Sequence, residues 1–325
     1  MKIKISGLTD AGKERDNNED ALLFCQDLNQ QEWQDHHTAD YLPIGSSGSL
    51  LIVADGMGGA NAGEVASSLA IEAVKNYFTA QRSESALSQD LVTEMLQRSI
   101  LAADQSINKR MYEDPSSQGM GTTIVVCWVH GHKAHVAWCG DSRCYLFKQE
   151  DGLQRLTTDH SYVQELIDHG EITEEEAFTH PQNNLITRGL GDFQSYPTAD
   201  IVTFDVEEGD AIMLCSDGLC GYCTDEEIER SMRANDGDVD DCCKALMKMT
   251  MRPSQRYPSS NVSSVKTAIE AFKKKPNTSW AFLLLTQNRH DNLYKTFPPS
   301  LTFHPAVSSS FCSATDRCHC RHAWW

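Results

Sequence analysis

Three aspartates that each adjoin a glycine at the end of an apolar segment are the residues here best suited to chemistry. The sequence reads V-A-D-G at Asp55, C-G-D-S at Asp141 and S-D-G-L at Asp217. Carboxylates and accessible backbone carbonyls are ligands that Mg²⁺ and Mn²⁺ prefer. One such Asp is equally compatible with a plain strand-turn-helix connection in which Asp is a turn residue. Three of them, with Arg15 and Glu19 nearer the N-terminus, favour one shared oxygen-ligand centre.

The glycines after Asp55 fit neither of two common phosphate-binding loops. A dinucleotide-binding fingerprint, G-x-G-x-x-G, that began at Gly56 would need its last glycine at position 61, which is Asn61. A Walker loop needs G-K-[ST], but residues 56–72 contain neither Lys nor Arg. A site for a hard cation therefore remains the functional interpretation of this segment.

The composition is that of an acidic globular protein. Its 325 residues, 40% of them apolar, suffice for a substantial core in one large domain or two. The 28 basic and 46 acidic residues give a formal charge of −18, which argues against nucleic acid or an anionic membrane as the main partner. The N-terminus lacks a signal-peptide-like apolar core, and the longest apolar run, 280–285, is too short to span a bilayer. We expect a cytoplasmic protein.

The 12 cysteines follow no regular framework, and most sit within apolar segments. Reduced, buried thiols are therefore expected rather than disulfides. No heptad run or isolated apolar stripe indicates an oligomer, and we expect a monomer.

Hydrophobic periodicity predicts groups of strands separated from groups of helices. Strands at 2–8 and 21–25 place Arg15, Glu19 and Asp20 at the mouth of a hairpin. Helices over 62–80 and 91–111 should lie together on one side of a sheet. The remaining predicted strands are 122–130, 133–139, 145–147, 153–156 and 210–215, and the remaining helices are 161–170, 173–178, 225–230 and 239–251. This grouping indicates an α+β fold with antiparallel sheets rather than a βαβ alternation.

The polar segment 180–192, H-P-Q-N-N-L-I-T-R-G-L-G-D, is unlike a core element. We predict a mobile flap near the site.

Seven short motifs occur in a fixed order between about residues 2 and 251. They are R-D-N-N-E-D, V-A-D-G-M-G-G, G-M-G-T-T, G-D-S-R, T-D-H-S, H-P-Q-N-N-L-I-T-R-G-L-G and C-S-D-G-L. In this order they resemble the metal-dependent protein phosphatases of the 2C (PPM) type, and more closely their bacterial serine/threonine branch. The resemblance implies two packed antiparallel β-sheets flanked by helices, an α-β-β-α sandwich, with a two-metal centre in a cleft at one end.

The resemblance also implies which residues hold divalent cations: Glu19, Asp20, Asp55, Gly56, Asp141 and Asp217. Asp55 would bridge two Mn²⁺ or Mg²⁺ ions, Gly56 would offer its carbonyl to one of them, and Asp217 would bind the other. Glu19 and Asp20 would bind the cations directly or through metal-bound waters. In the bacterial branch Asp141 and Asp217 are associated with a third, weaker metal position.

The implied reaction is hydrolysis of a phosphoprotein at phosphoserine or phosphothreonine. A water that two cations activate would attack phosphorus in line, and Arg15 would grip the phosphate and offset its charge. Some relatives place a His after D-G as a general acid, but here that position is Met57. His160 and His180 are better interpreted as structural or solvated residues than as catalytic ones.

One late motif departs from the family pattern. The family closes its metal site with D-N-[VI]-T, whose Asp binds the same ion as Asp217. By spacing, that Asp falls at Ser260, where the neighbouring Asn261 and Val262 match but the carboxylate is missing. A neutral hydroxyl is a weaker ligand for a hard dication. Asp291 precedes an Asn too, but it follows the apolar run 280–285, whereas the family motif precedes its final strand.

The chain changes character after about residue 252, where it becomes basic and rich in Ser, Pro and Lys. We predict a phosphatase domain over 1–265 and a divergent or disordered tail over 266–325. The tail admits three interpretations: a divergent final strand with an appendage, a disordered extension, or an altered reading frame. Its Cys and His residues fit no standard zinc spacing: Cys312, Cys318, His319, Cys320 and His322.

Two functions of different classes remain open from the sequence. The first is an enzyme that dephosphorylates phosphoproteins with Mn²⁺ or Mg²⁺, two ions and possibly a third. The residues that favour it are Arg15, Glu19, Asp20, Asp55, Asp141 and Asp217. The second is a catalytically weak or inactive module that binds phosphoproteins, and Ser260 and the aberrant tail favour that alternative.

Overall fold

The computed structural model describes residues 1–12, 17–38, 40–58, 62–81, 88–193, 196–235, 238–251 and, for the backbone alone, 280–287. All of these belong to one compact unit, Met1–Arg289, while a second unit, His290–Trp325, contributes no described residue. Several residues singled out in the sequence lie outside the described ranges: Arg15, Ser260, Asn261, Val262, Asp291 and the Cys and His residues of 312–322.

The described strands are β1 Lys2–Asp10, β2 Asp20–Cys25, β3 Trp33–Gln34, β4 Leu42–Pro43, β5 Ser49–Met57, β6 Gly121–Thr122, β7 Ile124–His130, β8 Lys133–Cys139, β9 Arg143–Lys148, β10 Gly152–Arg155, β11 Leu190–Gly191, β12 Asp200–Asp205, β13 Ala211–Cys215 and β14 Trp280–Gln287. The described α-helices are α1 Ala62–Ala80, α2 Gln89–Glu113, α3 Tyr162–Asp168, α4 Glu174–Phe178, α5 Asp217–Cys220, α6 Asp225–Ala234 and α7 Val239–Thr250.

The strands form two antiparallel sheets. The first has the order β10-β9-β13-β14-β1-β4. The second has the order β11-β6-β5-β7-β8-β12, with β2 also paired to β5 and β3 to β2. The neighbouring strands β10, β9, β13 and β14 of the first sheet are all antiparallel to one another. These strands therefore contain no βαβ crossover. The predicted α+β class is confirmed.

Alternation along the strands separates the core into layers. In β5, Leu50 and Ile52 pack with α1 and α2, whereas Leu51 and Val53 point to the opposite face. That opposite face meets residues of the first sheet, such as Ile212 of β13. Because successive side chains of a strand point to opposite faces, one apolar strand supplies both layers. The predicted α-β-β-α sandwich follows directly from this packing.

The outer face of the first sheet is covered by α5, α6 and α7. Met213 and Cys215 of β13 pack there with Ile228 of α6 and Leu246 of α7. Full burial of each such side chain contributes on the order of 1.5–3 kcal/mol. The cysteines of the described ranges are buried, and none of these thiols is in a disulfide: Cys25, Cys127, Cys139, Cys144, Cys215, Cys220, Cys223, Cys242 and Cys243.

The prediction that the first two strands form a hairpin is wrong. β1 pairs with β14 and β4, whereas β2 pairs with β5 and β3, so the two strands belong to different sheets. Periodicity identifies a strand and its buried face, but it carries no information about which strand will be its partner. β1 and β2 therefore do not form a hairpin with each other.

Besides the two-residue strands β3, β4 and β11, two longer strands were not among those that periodicity predicted. β12 pairs with β8 at the edge of the second sheet. β14 lies between β1 and β13 in the first sheet, with Leu285 opposite both Ile5 and Ile212. β14 lies beyond residue 265, so the sheet includes a segment from the region that the sequence analysis assigned to the tail. No helix in the described ranges is long and apolar enough to cross a bilayer.

Replacing Leu96 by Ala should destabilise the fold. Leu96 of α2 is fully buried in the layer that α1 and α2 share with β5. Removing its side chain leaves a cavity, so we expect a loss of about 2–5 kcal/mol in the free energy of unfolding, measured by urea denaturation. Tyr112 on the same helix is 89% exposed, and Tyr112→Ala should change it by no more than about 0.5 kcal/mol. Equal losses in the two variants would contradict this packing.

Candidate metal centre

Four aspartates from separate parts of the chain meet at one end of the two sheets. Asp20 starts β2 and is paired in register with Asp55 near the end of β5. Asp141 follows β8, and Asp217 follows β13 after a single residue. Burial raises the pKa of Asp55 well above its ordinary value, and the charges of Asp20, Asp217 and Asp141 raise it further. Such mutual influence shows that the four carboxyl groups occupy one region.

The two threonines of the G-M-G-T-T motif hold the backbone of Asp55. The Asp55 N–H donates to Thr123 Oγ1 at 3.1 Å, and the Asp55 carbonyl accepts from Thr122 Oγ1 at 2.8 Å and from the Thr123 N–H at 2.9 Å. Thr123 Oγ1 also lies 2.7 Å from Ser142 Oγ. Since Thr123 Oγ1 already accepts from Asp55, its own proton can go to Ser142, the neighbour of Asp141. One hydroxyl thus links two of the acid-bearing turns.

A second hydroxyl links the two sheets. Ser216 Oγ donates to Asp20 Oδ2 at 2.5 Å, and Ser216 is fully buried between β13 and Asp217. The neighbouring Asp20 carboxyl also contributes to the raised pKa of Asp55. β2 and β5 are paired through their backbones, so the Ser216 hydrogen bond joins both of their tips to the end of β13.

Glu19 and Gly56 lie at the same edge, against the first turn of α1. The Glu19 carbonyl accepts from the Gly56 N–H at 3.1 Å and from Ser67 Oγ at 2.6 Å. A Cβ on Gly56 would lie 2.1 Å from the Gly63 carbonyl oxygen, and one on Gly63 would lie 2.9 Å from the Glu19 carboxyl. Close backbone approach requires glycine at both positions. The Glu19 carboxyl therefore lies against Gly63, while the Glu19 backbone is bonded to Gly56, the residue after Asp55.

Asp141 is buried next to an ion pair that does not neutralise it. Burial and then the charges of Asp217 and Asp159 raise the pKa of Asp141, and Arg143 opposes them. Arg143 binds Asp159 through two hydrogen bonds, Nε to Oδ1 at 2.9 Å and Nη2 to Oδ2 at 2.6 Å. Its fork geometry is thereby committed to Asp159. Asp141 Oδ1 is buried and has no hydrogen-bond partner among the described residues.

These donors suit a hard divalent cation in kind. They are all oxygens, most are buried, and one buried carboxylate oxygen, Asp141 Oδ1, has none of its usual partners in the described ranges. Within those ranges, no three Asp, Glu, His or Cys side chains are already arranged around a single point as a ligand set. Asp20 instead accepts from Ser216 Oγ. The acids are therefore collected at one end of the sheets without yet forming such a ligand set.

The structure thus brings together four of the seven residues that the sequence predicted for the site, the aspartates, and sets Glu19 and Gly56 at the same edge. Arg15, the seventh, lies outside the described residues. His160 is buried and both of its ring nitrogens are bonded within the protein. His180 accepts from the Gln182 N–H at 3.2 Å. The roles of Thr123, Ser142 and Ser216 were missed, although all three belong to the quoted motifs.

Comparison with protein-family models matches residues 25–255 to the family described as protein phosphatase 2C. The matched range takes in β5, β8 and β13 and with them Asp55, Asp141 and Asp217. It therefore spans more than half of the chain and three of the four aspartates.

Two bacterial relatives show similar sequences. Protein phosphatase PhpP of Streptococcus pneumoniae is 32% identical over 247 residues, which are 76% of this chain and 90% of PhpP. Serine/threonine protein phosphatase PstP of Mycobacterium tuberculosis is 36% identical over 203 residues, which are 62% of this chain and 37% of PstP. The chain therefore spans little more than a third of PstP.

A solved structure shows the same architecture. The crystal structure of the catalytic domain of PstP in complex with two manganese ions aligns with a TM-score of 0.64 and 26% sequence identity. The alignment covers 88% of this chain and 98% of that one. The similarity extends over nearly the whole of the solved catalytic domain.

Removing one of the crowded charges should stabilise the cation-free protein. When the pKa of an acid is higher in the folded chain than in the unfolded chain, the folded state holds its proton more tightly. The free energy of unfolding then falls as the pH rises from the unfolded pKa to the folded pKa. Asp141 is such a group. In EDTA, Asp141→Asn should raise the melting temperature by about 2–4 °C at pH 8, which corresponds to about 1 kcal/mol, and by less at pH 5.

Differential scanning fluorimetry measures this effect. Asp205→Asn is the control, because Asp205 is exposed and Lys133 at 2.7 Å lowers its pKa. Removing that charge should leave the melting temperature unchanged or slightly lower. A melting temperature of Asp141→Asn at or below that of the unsubstituted protein at pH 8 would show that the carboxylates do not repel one another as described.

Proposed function

Because the chain belongs to the protein phosphatase 2C family, we propose that it is a metal-dependent phosphatase that hydrolyses phosphoserine and phosphothreonine in proteins. The observation that carries the proposal is the convergence of Asp20, Asp55, Asp141 and Asp217, whose charges act on one another at one end of the sandwich. Buried like charges at this density destabilise a protein unless a cation binds them. Their retention is explained by a function that needs the cation.

In this proposal the acids and one backbone carbonyl hold two Mn²⁺ or Mg²⁺ ions and a weaker third: Glu19, Asp20, Asp55, Gly56, Asp141 and Asp217. Bound divalent cations would supply a water nucleophile at neutral pH and neutralise the charge of the phosphoryl group. Support comes from the all-oxygen chemistry of the donors and from the PstP catalytic domain, which was solved with two manganese ions. Arg15, whose guanidinium fork matches phosphate oxygens, would bind the substrate phosphate.

The chain's own residues would have three tasks in this reaction. Thr122 and Thr123 hold the Asp55 backbone, so the carboxylate at the end of β5 is fixed before substrate arrives. Ser216 holds Asp20 against the tip of β13. Burial of the acids keeps bulk water away from the charges, which strengthens every electrostatic interaction with a phosphate.

We further propose that residues 1–265 contain the catalytic machinery and that 266–325 form a divergent or disordered tail. Within that tail, Trp280–Gln287 pairs with β1 and β13, so this segment would support the domain as a strand of the first sheet. The formal charge of −18 favours phosphoproteins over nucleic acid or anionic membranes as partners. Free, buried cysteines suit a reducing cytoplasmic setting, and we propose a monomer there.

A second function has its own support in the sequence. Ser260 supplies no carboxylate where the family's late D-N-[VI]-T motif is expected by spacing. β14 suggests another position for that motif, because the family's motif precedes its final strand and residues 276–279 read P-N-T-S. That alignment matches the motif at Asn277 and puts Pro276 where the Asp belongs. Either alignment lacks the last acid, which would favour a phosphoprotein-binding module with little or no turnover.

Phosphate release from a phosphothreonine peptide, measured against Mn²⁺ concentration, tests the enzyme. We expect activity that requires millimolar rather than micromolar Mn²⁺, because one carboxylate ligand is missing. Asp55→Asn should lower kcat by about 1000-fold or more, because it removes a carboxylate that would hold the cations. Asp205→Asn removes the same charge from an exposed site and should have no effect. Full activity of Asp55→Asn would contradict the proposal.

Restoring a carboxylate decides between the enzyme and the binding module. Ser260→Asp or Pro276→Asp, whichever alignment holds, should lower the Mn²⁺ concentration needed for half-maximal activity by about 10-fold. Absence of phosphate release from the unsubstituted chain at every Mn²⁺ concentration, with activity gained by one of these variants, would establish the binding module instead.

A further inference from the structure

His160 is bonded to the turn that carries Asp141 at two points. The His160 N–H donates to the Gly140 carbonyl at 3.0 Å, and the Gly140 N–H donates to His160 Nδ1 at 3.0 Å. Gly140 has φ of +122°, and a Cβ there would lie 2.5 Å from the Thr123 side chain. A glycine in this region has wide conformational freedom. Its two bonds to His160 therefore determine how Asp141, the next residue, leaves the end of β8.

The partners of the ring determine its tautomer. A backbone N–H can only donate, so His160 Nδ1 must carry a lone pair toward Gly140, and the ring proton must be on Nε2. Nε2 faces Asp200 Oδ2 at 3.1 Å, which accepts that proton. Arg188 Nη1 holds the other oxygen of Asp200 at 2.9 Å. Arg188 and Asp200 thus orient His160, and His160 orients Gly140.

Two further contacts immobilise the ring and join it to the helical segment that follows. The ring stacks on Trp138, with centroids 6.1 Å apart and planes 12° apart, and Trp138 Nε1 donates to the Thr158 carbonyl at 2.9 Å. The Thr187 N–H donates to the His160 carbonyl at 2.9 Å. Ser161, the next residue, bridges to Ile186. His160 therefore connects the two ends of segment 161–187 to the Asp141 turn.

Both ring nitrogens are committed to the protein, so neither is presented to a substrate. A general acid or base has to come within hydrogen-bond reach of the group that exchanges the proton. His160 would have to break its bond to Gly140 or to Asp200 to do so. The geometry therefore excludes a direct catalytic task in this arrangement and leaves an indirect one.

We infer that His160 is a positioning residue, which fixes the Asp141 turn through Gly140 and so sets how the Asp141 carboxylate meets a divalent cation. The inference rests on the proposed metal centre. Asp200 and Arg188 would also contribute to the metal site, because they hold His160 in the tautomer that accepts from the Gly140 N–H. Replacing a residue that orients a metal ligand without binding the metal itself typically weakens metal binding by about 10–100-fold.

Two replacements of His160 separate its bonds. The amide oxygen of Asn can occupy the place of Nδ1 and accept from the Gly140 N–H, whereas the longer Gln reaches toward the place of Nε2 and Asp200. His160→Gln should therefore weaken Mn²⁺ binding by about 10-fold, and His160→Asn should stay within about 3-fold of the unsubstituted protein. Isothermal titration calorimetry of the full chain with Mn²⁺ alone measures both, with phosphate release as a second readout.

His135 provides the matched control. It is buried like His160, its Nδ1 lies 2.9 Å from Thr203 Oγ1, and it lies near the other end of β8 from Asp141. His135→Asn should lower the melting temperature and leave the affinity for Mn²⁺ unchanged. If His160→Gln does not fold, Asp200→Ala replaces it, since Asp200 is 46% exposed, and a roughly 3-fold weaker Mn²⁺ affinity is expected.

Each outcome decides the inference. Unchanged Mn²⁺ affinity in His160→Gln, or in Asp200→Ala where that variant is used, would overturn it. Equal losses in His160→Asn and His160→Gln would also overturn it, because the bond to Gly140 would then not matter. If the unsubstituted chain binds Mn²⁺ without releasing phosphate, the proposed enzyme fails while the affinities still test His160. Failure to bind Mn²⁺ at all would overturn both.

Discussion

Repulsion among buried carboxylates is the constraint on which the rest of this structure depends. Asp20, Asp55 and Asp141 are each less than a tenth exposed, and Asp217 lies beside them. Removing ionised groups from water is unfavourable, and placing like charges together adds to that cost. Such an arrangement persists only where the surrounding structure fixes it. The Thr123 hydroxyl, through Asp55 and Ser142, and the Ser216 hydroxyl, through Asp20, do so here.

The sandwich explains why acids so distant in the chain can be held together. β5 contributes to two cores at once, with Leu50 and Ile52 facing the helices and Leu51 and Val53 facing the first sheet. Because both sheets share that inner core, the end of β13 is fixed relative to the ends of β2 and β5. Ser216 then needs only one hydrogen bond to connect them. Apolar packing supplies the stability that the acid cluster removes, as is common at functional sites.

The sequence was informative wherever a signal is local. The periods of α1 and α2, the turn chemistry between β9 and β10 and the positions of the aspartates at strand ends all follow from neighbouring residues, and the structure agrees with them. The pairing of β1 was not predictable in this way, since its partners are β4 and β14 rather than β2. Hydroxyl residues such as Thr123 and Ser216 gave no distinctive signal either, because Ser and Thr serve equally as turn and strand residues.

The position of β14 shows which end of the first sheet this part of the C-terminal region meets. Phe282 is opposite Cys215 and Trp280 is opposite Asp10, so β14 begins at the same end of the sheet where Asp217 follows β13. The four residues that precede Trp280 in the sequence, P-N-T-S, contain no acid. β14 itself has no acid either, so this strand adds backbone pairing to the acid-bearing end of the first sheet without adding a further negative charge.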